Sequence, residues 1–81
     1  MNNYKYYFVY EVYSTDKETK AAYNIMIGTR VLDFKKKMVA NNFTSSIDSA
    51  RNFILNELFP DEKDREGKTV IITNYILIPQ K

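Results

Sequence analysis

The residues that could do chemistry in this chain are few. Neither His nor Cys occurs among its 81 residues. That removes the commonest general base, the thiol nucleophile and the usual transition-metal ligands together. What remains is a cluster of carboxylates, Asp61, Glu62, Asp64 and Glu66, with Lys63 and Arg65 set among them. Clustered carboxylates hold a cation or share a proton only when their field is not cancelled, and here the interleaved bases cancel much of it. The spacing also departs from the calcium-loop pattern of alternating oxygen ligands around a central glycine. Gly28 and Gly67 stand alone, so no glycine-rich loop is available to cradle a phosphate. Gly28 reads as a bulge or a close backbone approach in its strand, and Gly67 as a turn. No catalytic residue, metal ligand or cofactor is expected.

Aromatic residues offer a different chemistry, that of binding. Seven Tyr and five Phe occur, with no Trp. Tyr is concentrated in residues 4–14, YKYYFVYEVYS, a run of strand formers. Alternation divides this strand into two sets. Tyr4, Tyr6, Phe8, Tyr10 and Val12 point one way; Lys5, Tyr7, Val9, Glu11 and Tyr13 point the other. After a polar loop, residues 21–31, AAYNIMIGTRV, alternate again, with Tyr23, Ile25, Ile27 and Val31 opposed to Asn24, Met26, Gly28 and Arg30. The two segments read as an antiparallel hairpin.

Residues 32–43 admit a strand continuation, a short helix or a connecting loop. A helix is expected next, with Ser45 or Ser46 as N-cap and Asp48 in its first turn. Ile47, Ala50, Ile54 and Leu58 form its apolar stripe, flanked by Phe53 and Leu55, and Pro60 stops it. Residues 60–68 read as a solvated loop. Residues 69–78, TVIITNYILI, read as a last strand whose doubly apolar character implies contact on both faces or a central place.

The expected fold is therefore α+β, a single domain over residues 1–81 with element order ββαβ. The helix reverses the chain, so the third strand fits beside the first. The result is a three-stranded antiparallel sheet of order 2-1-3. One helix covers one face of such a sheet, which leaves the opposite face displayed. Whichever set of the first strand turns inward, aromatics remain outside. If Ile25 and Ile27 pack inward, Tyr7 and Tyr13 are joined on the open face by Met26 and Arg30, a composition enriched at protein interfaces. The expected partner-binding residues are Tyr7, Tyr13, Met26 and Arg30, with Lys35, Lys36 and Lys37 as nearby cations.

Sheet aromatics next to cations also serve single-stranded nucleic acids. Twelve basic against ten acidic residues leave a net charge of only +2, and no ribonucleoprotein-type aromatic motif is present. A nucleic-acid-binding domain is the alternative reading. The start, Met1 to Lys5, has no basic region followed by an apolar one, and no apolar run is long enough to span a bilayer. A cytoplasmic location without membrane association is expected.

The scaffold YYFVYEVY, AAYNIMIGTR, SSIDSARNFILNEL and TVIITNYILI resembles small ββαβ proteins of bacteriophages and mobile elements of low-GC bacteria. In that group an opening YY-V-x-Y strand, a helix and a closing V-V-I-x-N strand recur. The resemblance covers most of the chain through core residues. It implies an accessory or inhibitory protein that binds a host or phage protein. Taken with the open face and the missing His and Cys, the expectation is a non-enzymatic binding protein that engages such a partner or forms a homodimer.

Overall fold

Tyr4–Thr15 forms β1 and Ala22–Phe34 forms β2. The computed structural model describes residues 3–79, so Met1 and Asn2 of the segment read for a leader lie outside it. The turn between the two strands is built by Asp16, whose Oδ1 accepts the backbone N–H groups of Glu18 and Thr19 at 2.8 and 3.1 Å. This is the local bond that makes Asp a turn former. Helix α1 spans Phe43–Leu58, a one-turn helix α2 spans Glu62–Arg65, and β3 spans Lys68–Leu77. The strands pair in the order β2-β1-β3, antiparallel throughout. The expected ββαβ sheet is thus present, with the tyrosine-rich strand at its centre.

Four details complete or change the sequence reading, the first by settling the segment 32–43 that the sequence left open and the other three by departing from it. First, β2 continues to Phe34, and residues 35–42 form a loop held by Asn42, whose side chain accepts from Val39 N–H and donates to the Lys37 carbonyl. Second, α1 begins at Phe43 with Asn42 as N-cap, ahead of Ser45 and Ser46. Asp48 consequently sits beyond the first turn, where it pairs with Arg51 at 3.2 Å. Third, the 60–68 segment holds α2, because Asp61 caps it by accepting the Lys63 N–H at 2.9 Å. Fourth, β3 lies at an edge, and its doubly apolar sequence reflects one buried and one exposed set rather than a cover on both faces.

The register decides which set of β1 is buried. Tyr6, Phe8, Tyr10 and Val12 turn toward α1 and are almost fully enclosed. Tyr6 and Phe8 pack with Met38 and Ala50; Tyr10 and Val12 pack with Ile54 and Val70. The physical reason is charge. The other set contains Lys5 and Glu11, which a covered face would have to strip of water. α1 has 16 residues, about 24 Å at the helical rise, while the molecule extends 49 × 22 × 22 Å. One helix therefore cannot reach the hairpin tip, and it leaves one side of the sheet bare.

Burying Tyr6 requires a partner for its hydroxyl. The Met38 N–H donates to it at 2.9 Å, tying the loop after β2 to the core. Tyr6→Phe would leave that buried N–H without an acceptor, at a cost of about 1 to 3 kcal/mol. Urea unfolding should show a lower midpoint with an unchanged slope, and amide exchange should speed at Met38.

Candidate interaction face

The side of the sheet away from α1 is built from rows of three residues, one from each strand. Val31, Tyr7 and Ile76 form one row; Thr29, Val9 and Asn74 the next; Ile27, Glu11 and Ile71 a third. Asn24, Tyr13 and Thr69 close the hairpin end. Lys5 and Asp33 close the other, paired at 2.9 Å. Ile27 is 68% exposed, Ile76 54% and Ile71 45%. Isolated exposed apolar side chains are ordinary, but here they are contiguous across three paired strands. Spanning nine positions of β1, the whole face, polar end rows included, projects to roughly 400 Å² at usual strand spacings, and its apolar part lies between those ends around Tyr7 and Val9.

Its charges are few and mostly engaged. Lys5 is held by Asp33, and the Glu11 carboxylate accepts the Tyr13 hydroxyl at 2.6 Å. That hydrogen bond, with a smaller part from desolvation, holds the Tyr13 phenol above its ordinary pKa, so Tyr13 stays a neutral donor. What the face offers another surface is apolar contact area from which water can be excluded.

One carbonyl on each sheet edge is already occupied. Arg51 Nε donates to the Val70 carbonyl of β3 at 2.9 Å, and Arg30 Nη1 to the Val31 carbonyl of β2 at 2.8 Å. An added strand would compete for both acceptors. The Asn24 amide instead bridges the Met26 and Val12 carbonyls at the bulge, at 3.1 and 3.3 Å.

Of the residues expected to bind a partner, Tyr7 and Tyr13 are on this face. Met26 and Arg30 are not: they sit opposite Val12 and Phe8 and so share the helix side. The expectation that Ile25 and Ile27 turn inward is reversed. Arg30 lies over the Phe53 ring at 5.5 Å and forms a two-point pair with Glu57 of α1 at 2.7 and 2.8 Å. This pairing holds the Glu57 carboxyl below its ordinary pKa. An edge strand only partly overhung by a helix can place a long cation inward, because its head still reaches water. Ile25 is the extra residue of a bulge between Val12 and Tyr13, which displaces the alternation read from the sequence. The bulge is there and not at Gly28, which instead meets the Tyr10 ring. Lys35, Lys36 and Lys37 are exposed in the loop after β2, off the strands.

Val9, Ile27, Val31, Ile71 and Ile76 belong to the face and were absent from the expected set. The sign pattern of β1 could have found them: once Lys5 and Glu11 define the outer face, pairing carries the assignment to both neighbours. On the opposite side, a groove of about 710 Å³ runs between β2 and α1, with Leu32, Phe34, Ser46, Ser49 and Phe53 among its walls. Among the described residues, no helix is long and apolar enough to cross a membrane. Comparison with protein-family models, curated proteins and solved structures finds no match.

Proposed function

We propose that this chain is a non-enzymatic binding protein that engages a partner protein, or a second copy of itself, through the open face of its sheet. The accessory or inhibitory role among phage or mobile-element proteins is what the sequence resemblance adds. The observation that carries the reading is the contiguous apolar surface of Tyr7, Val9, Ile27, Val31, Ile71 and Ile76 on a sheet covered on one side only. Aromatic and aliphatic contact area of this kind, with few desolvated charges, is the make-up of a protein interface core.

The charges favour protein over nucleic acid. A strand-tracking nucleic-acid groove needs unpaired cations beside its aromatics, whereas here the central charge is Glu11 and Lys5 is tied to Asp33. Ile71→Lys, which changes the face and not the core, should abolish retention of the partner from a host-cell extract. Glu57→Gln, on the other side of the molecule, should keep it. Equal retention by both variants would discard the reading. Salt-sensitive binding of a single-stranded oligonucleotide, lost with Tyr7→Ala, would replace it with the nucleic-acid alternative.

A further inference from the structure

We infer that the occupant of the open face is a second copy of this chain, stacked face to face about a two-fold axis that runs across the strands through the Val9 row. This rests on the open face being the binding surface, and it commits that surface to one occupant in one orientation. The argument is from charge and shape. A two-fold axis running along β1 would set Glu11 on Glu11 and Lys5 on Lys5 of the other copy, burying like charges together. Turning the axis through a right angle exchanges the two ends of each strand and removes that conflict.

The exchange matches the face to itself. Val9 lies four positions from both Lys5 and Tyr13 and two from both Tyr7 and Glu11. Glu11 of one copy therefore meets Tyr7 of the other, with the other copy's Lys5 one row further out. On β2 the same operation sets Ile27 against Val31, and on β3 it sets Ile71 against Ile76. The paired Lys5–Asp33 end meets the polar row of Asn24, Tyr13 and Thr69. On the axis, Thr29, Val9 and Asn74 each meet their own counterpart, like on like; in the rows beside it apolar faces apolar, and the one central acid faces a phenol and a base.

The area sets the strength. A projected face of roughly 400 Å² per copy, about 800 Å² in all, lies below the range of stable specific interfaces and fits a weak, concentration-dependent dimer. The result is a four-layer particle, helix, sheet, sheet, helix, with the sheets about 10 Å apart.

The absence of cysteine makes the orientation directly measurable. Val9→Cys, Lys5→Cys and Tyr13→Cys would each be treated with a bismaleimide of about 10 Å reach, the spacing of stacked sheets. Val9→Cys should cross-link to itself. Lys5→Cys and Tyr13→Cys should each fail alone and cross-link when mixed, because in the dimer each approaches the other and not its own copy. Sedimentation equilibrium should give a dimer for the wild type and a monomer for Ile71→Lys, with unchanged circular dichroism. Self-linking of all three variants would overturn the orientation. A wild-type monomer at 200 µM, an order-of-magnitude ceiling of roughly −5 kcal/mol on association, would overturn the dimer. If that monomer still captured a partner that Ile71→Lys lost, the binding-face reading would stand while this one fell.

Discussion

Phe8→Ala should lower the stability of this protein by about 3 to 5 kcal/mol, the usual range for truncating an aromatic in a closed core. Phe8 is fully enclosed at the centre of β1, the one strand paired on both sides. Its ring lies 6.0 to 6.5 Å from those of Tyr6, Phe34 and Tyr75, so each of the three strands contributes a ring to its surroundings. Removing it empties the place where the sheet and α1 meet. A chain of this length has a total stability of roughly 4 to 12 kcal/mol, so the loss is a large share of the whole. Urea unfolding followed by circular dichroism should show either a much earlier midpoint or no folded baseline. Phe8→Leu, which retains most of the volume, should cost clearly less. Equal losses for the two would mean that aromatic contacts, not filling of space, govern the site.

Gly28→Val should be the second severe change, at about 3 kcal/mol, the upper part of the range for overpacking. A Cβ built on Gly28 would fall 2.5 Å from the Tyr10 hydroxyl oxygen and 2.6 Å from the ring carbon that bears it. Tyr10 is 6% exposed and crosses the β2 backbone where a side chain would otherwise stand. The added branch must push that ring out of the layer between sheet and helix. Tyr10→Leu shortens the ring side chain and should rescue most of the loss. In a double-mutant cycle the two changes should therefore be strongly non-additive. Simple additivity would show that the loss arises from backbone conformation and not from the ring.

The architecture was readable because three kinds of signal agreed. The alternation in β1, the stripe of Ile47, Ala50, Ile54 and Leu58, and the chain reversal by α1 each led to the same sheet order. The face assignment of β2 was not readable, for two physical reasons. Hydropathy favours Ile25 and Ile27 over Gly28 and Arg30 as inward residues, yet inward positions on a partly covered edge strand are filled by fit. Gly28 makes room for Tyr10, and Arg30 spans Phe53 to reach Glu57. The bulge at Ile25 then shifts the phase for Tyr23 and Asn24, and alternation alone carries no mark of a bulge. On β1 the alternation separated the two sets, with Tyr7 and Tyr13 together, but left open which set faces outward. The part on β2 and β3 follows only from register.

The two edge carbonyls occupied by Arg30 and Arg51 bear on how large an assembly of this chain can grow. Pairing along a strand edge regenerates a fresh edge with each added copy and has no natural end. Stacking of two identical faces about a two-fold axis consumes both and leaves none. The segment from Ala22 to Thr29 carries no charge and no proline, the make-up of a fibre-forming stretch. Side chains that occupy an acceptor on each edge while one face stays open thus favour, for the proposed dimer, a finite particle over a polymer.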